Sequence, residues 1–361
     1  MNSAVHVHIT ISWRLSGLPK NTSTISRRSF LRGAAIVGAG ALAAAPAVSR
    51  AGGQSESGEE LATLLDLSKC IGCGACVMAC REANAERYPE PTKPFPEMFP
   101  ARVKAEDWSD KRGVDDRLTP YNWLFVDHIT VNHGGEEHEI HMPRRCMHCT
   151  NPPCANLCPW GAAAKQDNGA VTIAPDICLG GSKCKDVCPW DIPQRQTGVG
   201  LYLDLLPRFA GNGVMYKCDR CQPRMAEGKL PACIEACPMD VQEIGPRSEI
   251  IAKAEALVRE TGGYIYGIEE NGGTNTVYVS PVPFEALEAA RDKGKDAKGH
   301  GKGSQAQQQN QAGRPHLQPV GSPFENENMF AAAVFTAPLA GLAAGALKLF
   351  RKARANHEEE S

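Results

Sequence analysis

Cys146-Met-His-Cys149-Thr-Asn-Pro-Pro-Cys154-Ala-Asn-Leu-Cys158-Pro159, followed downstream by Cys178-Leu-Gly-Gly181-Ser-Lys-Cys184-Lys-Asp-Val-Cys188-Pro189, is the stretch on which the fold turns. Closely spaced cysteines, one more three residues on and a proline after it form the spacing with which thiolates hold iron–sulfur clusters, the last cysteine crossing to a neighbouring cluster. Thiolates two residues apart on a tight turn reach corners of one cuboidal cluster. The last cysteine, expected to open a helix with proline in its first turn, is carried toward the next cluster. Two such runs make one two-cluster unit.

Two further runs flank this pair. Cys70-Ile-Gly-Cys73-Gly-Ala-Cys76-Val-Met-Ala-Cys80 has the C-x2-C-x2-C-x3-C spacing, with Arg81 in place of the usual proline, so the helix there is expected to differ. Lys217-Cys218-Asp-Arg-Cys221 and Pro231-Ala-Cys233-Ile-Glu-Ala-Cys237-Pro238 form the fourth run. By itself it could pass for a zinc ribbon, whose structural sites also use four thiolates. Its three neighbours and the closing C-x3-C-P favour iron and sulfide.

The third run breaks the pattern, because Gly181 stands where a cysteine belongs and glycine supplies no ligand. Three thiolates, Cys178, Cys184 and a crossing Cys158, therefore predict a [3Fe–4S] cluster. The alternative is a [4Fe–4S] cluster completed by water or by an oxygen such as that of Ser182. Runs two and three are close enough in sequence to pair, leaving runs one and four to pair around them. This nesting gives Cys70, Cys73, Cys76 and Cys237 one [4Fe–4S] cluster. Cys80, Cys218, Cys221 and Cys233 hold a second, and Cys146, Cys149, Cys154 and Cys188 a third. His148, between two ligands, is expected at the surface near its cluster, modulating the potential rather than binding iron.

Between runs one and two, residues 81–145 read as a Pro- and charge-rich loop and then a β-hairpin, with alternation over 122–131, a Gly134-Gly135 turn and a return over 139–142. His128, His133, His138 and His141 lie on it, and solvated strand histidines explain them better than a metal or haem site. A short turn at Asp167-Asn-Gly169 precedes a strand at 171–173. Residues 248–261 carry apolar side chains at helical spacing and stop at Gly262, and short strands are expected at 264–267 and 275–279.

The chain ends read as addresses rather than folds. Ser26-Arg27-Arg28-Ser29-Phe30-Leu31-Arg32 precedes an apolar Ala/Gly run over 33–48 that is short for a membrane span, so residues 1–53 are expected to be a removable twin-arginine export signal. Gly38-Ala-Gly40 is no dinucleotide fingerprint, since no strand precedes it. At the other end, residues 293–323 are rich in Lys, Gly, Gln and His and read as a flexible linker. Residues 329–347 carry no charge and suit a transmembrane helix. The basic residues of the 348–361 tail would hold that end in the cytoplasm, with the cysteine-rich region of 64–292 on the periplasmic side. Export normally converts cysteines into disulfides. An odd count of 15 cysteines fits that poorly, whereas clusters inserted before export reconcile the two signals. A net charge of −2 without a basic patch gives no nucleic-acid partner, and 6% aromatic residues imply a small apolar core stabilised by metal–thiolate bonds.

Over residues 64–285 the order of the runs, the Cys146-Met-His-Cys149 block and the Lys217-Cys218-Asp-Arg-Cys221 block resemble the iron–sulfur subunits of molybdopterin oxidoreductase and hydrogenase complexes. Within that family the chain is similar to exported, C-terminally anchored subunits: those of hydrogenase-2 type, of formate dehydrogenase-N and of high-molecular-weight cytochrome complexes. The resemblance implies clusters in a row, the Cys70 end facing a catalytic subunit and the Gly181 end nearest the membrane. Membrane-bound nitrate reductases also lack a cysteine at the Gly181 position and hold [3Fe–4S] there, although their residue is bulky. The expected fold is thus α+β, two interleaved bacterial-ferredoxin-like two-cluster units with an inserted hairpin and loops, plus one C-terminal transmembrane helix. The expected cofactors are three [4Fe–4S] clusters and one [3Fe–4S] cluster. The expected role is electron transfer between an exported hydrogenase, molybdopterin enzyme or multihaem cytochrome c and a quinone-reactive or cytochrome b-type membrane subunit. The contrasting expectation is an enzyme that binds substrate at the incompletely ligated Gly181 cluster, but no acid–base constellation or second cofactor motif accompanies it.

Overall fold

The computed structural model describes residues 58–98, 105–205, 213–296, 312–322 and 324. The export signal at 1–53, the span at 329–347 and the tail at 348–361 lie outside the described residues, and among those described no helix is long and apolar enough to cross a membrane.

The chain opens with β1 (Leu61–Asp66), whose residues beyond the first are all buried. Such an apolar run is what a strand covered on both faces requires. The next element, α1 (Ala75–Ala83), carries both Cys76 and Cys80. The hairpin follows as β2 (Phe125–His133) and β3 (Glu136–Arg144), antiparallel with His128 opposite His141 and Ile129 opposite Ile140. Gly134 and Gly135, at φ 63° and 88°, supply the left-handed conformation that a two-residue hairpin turn demands. Phe125, Ile129, Ile140 and Met142 face the main core.

The middle runs are built from short pieces: α2 (Pro153–Asn156), the β4 (Ala163–Lys165) and β5 (Val171–Ile173) pair, α3 (Lys183–Asp186), β6 (Gln194–Gln196), α4 (Tyr202–Leu205) and β7 (Val214–Tyr216), which pairs with β6. The fourth run adds α5 (Gln222–Ala226) and α6 (Ala232–Glu235). The expectation that the last cysteine of a run opens a helix is corrected here. α2, α3 and α6 each carry the preceding cysteine and end before Cys158, Cys188 and Cys237. The prolines that follow stand just past a helix end, where their ring and missing N–H stop further winding. Run one has Arg81 instead, and α1 continues through Cys80 to Ala83, with Arg81 donating to Asn122 Oδ1 (2.9 Å) and Val114 O (2.6 Å).

The chain closes with β8 (Gln242–Pro246), α7 (Arg247–Thr261), β9 (Tyr264–Tyr266), β10 (Thr276–Ser280) and α8 (Phe284–Asp296). α7 ends at Gly262, φ 70°, as its apolar spacing and the glycine predict. A four-stranded sheet of order β8-β1-β10-β9 forms, with β1 parallel to β10 and the other pairs antiparallel. One face packs Ala62, Leu64, Val277 and Val279 on Ile250 and Ala254 of α7. Leu65 and Tyr278 turn the other way, into the core shared with the hairpin and Cys146, Met147 and Cys149. The sheet joins the first and last thirds of the chain, and so brings run four back to run one.

The linker expected over 293–323 is corrected at both ends. α8 runs to Asp296, and residues 312–322 form a strap across the core. Leu317 is buried, and its N–H donates to Glu288 Oε2 (2.8 Å). Arg144 donates to Pro315 O (2.8 Å), the Tyr266 hydroxyl to Gln318 O (3.0 Å) and Asn271 N–H to Val320 O (2.7 Å). One buried leucine and these donors fix a segment whose polar composition reads as a tether.

Candidate metal centres

Each cysteine run begins with the same local device. The residue before the second ligand position adopts a left-handed conformation: Gly72 (φ 69°), His148 (φ 48°), Gly180 (φ 65°) and Arg220 (φ 62°). This turns the loop so that flanking side chains reach inward. Backbone N–H groups already point at sulfur, from Val241 to Cys237 (3.4 Å), Arg220 to Cys218 (3.4 Å), Ala163 to Cys158 (3.4 Å) and Met215 to Cys178 (3.5 Å). Such donors stabilise charge on cluster sulfur.

All 15 cysteines are free thiols. α1 packs against α6, and α2 against α3, so runs one and four meet and runs two and three meet. Cys80, Cys218, Cys221 and Cys233 line one cavity. Cys146, Cys149, Cys154 and Cys188 line another. We call these sites II and III. At one end Cys70, Cys73, Cys76 and Cys237 form site I, where Cys237 and Cys73 are electrostatic neighbours of Cys70. At the other, Cys158, Cys178 and Cys184 form site IV, where Cys178 and Cys158 adjoin Cys184.

The thiols also record the order of the sites. Burial, and next the charge of Cys233, pushes Cys76 up to about 12, linking site I to site II. Burial pushes Cys218 up to about 12 as well, and among the thiols around it is Cys146 of site III. Cys184 of site IV is raised by burial and then by Cys154 of site III. The sites therefore run I, II, III, IV. Burial raises Cys76, Cys184 and Cys218, so these bare thiols keep their protons until a cationic centre takes up their charge. Among the described residues no three His, Cys, Asp or Glu side chains are placed to share a single metal ion. Run four divides its thiols, with Cys218, Cys221 and Cys233 lining site II beside Cys80 while Cys237 joins site I.

Buried cations lie between sites II and III. Arg145 donates from Nη1 to Cys233 Sγ (2.9 Å) and Gln242 Oε1 (2.6 Å). Lys217 Nζ donates to the carbonyl oxygens of Val171 and of Cys218 (3.1 Å for the latter). Arg220 donates to Leu61 O (2.7 Å) and Asn275 O (3.1 Å), joining run four to β1. None of these was singled out in the sequence as a cluster neighbour, although each is adjacent to a ligand position. His148, expected at the surface, is corrected: it is 1% exposed. Run four closes over run two, and the imidazole is trapped between them.

Site IV is open at the position of the absent cysteine. Gly181 is exposed, and a side chain added there meets no atom within 4 Å. The Ser182 hydroxyl donates to Gly180 O (3.5 Å) and lies 3.6 Å from Met215 Sδ. The hairpin histidines form no cluster of three ligands; His128 and His141 pair through Nδ1 atoms 2.9 Å apart, beside Gly72 of site I.

Site I is the exposed end of the row, with Cys73 in contact with solvent. Ile71, Met78, Leu230 and Met239 are four of the five exposed large apolar side chains among the described residues, and all lie close in sequence to ligand positions of runs one and four.

Two matches to a 4Fe-4S dicluster domain cover residues 69–162 and 138–247, and so include all four runs. The chain is 30% identical over 272 residues to a protein of Nitratidesulfovibrio vulgaris, covering 73% of this chain and 66% of that relative. It is similar to the hydrogenase-2 operon protein HybA of Escherichia coli O157:H7, 29% identical over 301 residues, 73% of this chain and 83% of HybA. It is also similar to the probable anaerobic dimethyl sulfoxide reductase chain YnfG of Escherichia coli K12, 31% identical over 193 residues, 54% of this chain and 77% of YnfG. The chain belongs to the family of iron–sulfur, electron-transfer subunits of molybdopterin oxidoreductase and hydrogenase complexes.

Proposed function

We propose that sites I, II and III each hold a [4Fe–4S] cluster and site IV a [3Fe–4S] cluster, and that the chain is a wire between a catalytic partner and the membrane. The observation that carries this reading is the row itself, two cavities each lined by four thiols, with three-thiol and four-thiol groups continuing it at either end. When bound, the clusters supply one-electron redox steps. The protein holds them at fixed spacing, excludes water from sites II and III, and sets each potential through N–H···S bonds and buried cations.

The exposed apolar side chains Ile71, Met78 and Met239, next to or near site I ligands in sequence, support docking of a catalytic subunit there, a hydrogenase or molybdopterin enzyme, or of a multihaem cytochrome c. The Gly181 end would then serve a quinone-reactive or cytochrome b-type membrane subunit. The twin-arginine motif and the uncharged segment at 329–347 support a periplasmic location with a C-terminal anchor. Reconstituting the intact chain with its catalytic partner and following reduction of successive clusters by EPR tests the wire: reduction of every cluster through the partner is expected, and clusters that the partner leaves oxidised contradict it.

A second reading is favoured by the open Gly181 corner, where a substrate could reach an incompletely ligated cluster. Turnover by the isolated chain, with no partner present, would establish it in place of the wire.

Arg145 gives a prediction for this reading. Its guanidinium faces the Cys233 sulfur from a fully buried position, so Arg145→Leu removes a compensating charge from site II and strands Gln242 Oε1. Breaking a buried charge pair of this kind costs about 3 kcal/mol. Denaturant unfolding of the loaded protein is expected to shift to lower midpoint, and the potential of one cluster to fall.

A further inference from the structure

Sites I and IV have glycine at the left-handed position of the loops that open runs one and three, while runs two and four keep His148 and Arg220 there. A left-handed conformation costs a residue with a Cβ roughly 1–2 kcal/mol, and such strain at a functional site points to a use for the side chain. Arg220 has an evident one, binding the carbonyl oxygens of Leu61 and Asn275. His148 has a different surrounding. Val171 N–H donates to its Nδ1 at 2.9 Å, so that nitrogen is the acceptor. In the neutral ring the proton then sits on Nε2, which lies 3.7 Å from Cys218 Sγ. The opposite face of Val171 is fixed too, because its carbonyl accepts from Lys217, the neighbour of Cys218.

His148 belongs to the loop between Cys146 and Cys149 of site III, yet its free N–H is aimed at a ligand of site II. On the reading of sites II and III as clusters, we infer that His148 is a positioning residue, an Nε2–H donor to the Cys218 thiolate that raises the potential of the site II cluster. The sign follows from charge: reduction adds an electron to the cluster and its sulfurs, a donor stabilises the more negative state, and its removal makes reduction harder. The same contact ties the site III loop to a site II sulfur, a direct bridge between the two centres.

The test is His148→Gly in the full chain loaded with clusters. Glycine relieves the left-handed strain, so the loop keeps the conformation that runs one and three already adopt with glycine. Redox titration followed by EPR is expected to show one cluster whose reduced-to-oxidised ratio at a given solution potential falls about tenfold, equivalent to about 59 mV for a one-electron couple, with the remaining clusters unmoved. Unchanged potentials for all clusters would overturn the inference. A measurement on the unaltered protein stands beside it: with 15N-labelled histidine, hyperfine spectroscopy of the reduced protein is expected to show one imidazole nitrogen coupled to a cluster, and its absence overturns the inference. A loaded protein that carries no four-iron clusters at all would remove the underlying reading as well, an outcome distinct from clusters present but insensitive to His148.

Discussion

Gly181→Cys is expected to convert site IV from a three-iron to a four-iron centre. Three properties of the position make the substitution informative. It occupies the second-ligand place of run three, its backbone lies outside the left-handed region, and a new side chain there meets no atom within 4 Å. A Cβ there meets no clash and no left-handed strain, and a thiol at the second-ligand place of run three is expected to complete the set of Cys158, Cys178 and Cys184. The oxidised protein should lose its three-iron EPR signal, and a four-iron signal should appear on reduction. Cluster type and charge govern potential across a range of roughly a volt, so a downward shift on the order of 100 mV or more is expected at this site. Retention of the three-iron signal would mean that Gly181 is not the missing-ligand position. Its absence from the unaltered oxidised protein would mean that the site already holds four irons.

Iron extraction is expected to have the second large effect, on the fold itself. Cysteines sit in three of the four apolar clusters, Cys146 and Cys149 with Trp190 and Ile192, Cys154 with Val171 and Val214, and Cys76, Cys80 and Cys233 with Trp123 and Leu124. The helices between them are only four residues long at Pro153–Asn156, Lys183–Asp186 and Ala232–Glu235, far below the length at which a helix holds itself. A structural metal site contributes on the order of 10 kcal/mol, comparable with the whole stability of an ordinary domain. Chelation of the reduced protein should therefore abolish the cooperative thermal transition and most of the near-ultraviolet circular dichroism. The sheet β8-β1-β10-β9, whose face on α7 contains no cysteine, is expected to be the last part to lose protection from hydrogen exchange. A native-like melting curve after complete iron removal would contradict this account of what stabilises the molecule.

The site was more legible in the sequence than the frame around it. Thiolate spacing is local, so the four runs stand out in the sequence, and the Gly181 gap and the nested order could be proposed from residue positions. The hairpin and the helix ending at Gly262 declared themselves for the same reason, through alternation, apolar spacing and glycine stops. β1 did not, because a short apolar run is ambiguous alone and its partners, Val277 of β10 and Glu243 of β8 beside Leu64, lie at the far end of the chain. The strap at 312–322 was hidden by its composition, since a single buried Leu317 and donors from Arg144, Tyr266 and Asn271 fix it. His148 looked like a surface residue because run four, which covers it, is distant in sequence. Arg145 and Lys217 were adjacent to ligands in plain view, but only folding shows their charges turned inward to Cys233 Sγ and to the Val171 carbonyl.

The central claim is that these free thiols hold iron and sulfide in a row rather than joining one another. Iron and acid-labile sulfide, measured on the intact purified chain together with a count of thiols in the absence of reductant, test it most directly. A coloured protein is expected, with iron and sulfide in the proportion of three four-iron clusters and one three-iron cluster, and with thiols that react only after the iron is removed. A colourless, iron-free chain whose cysteines are paired as disulfides would contradict it.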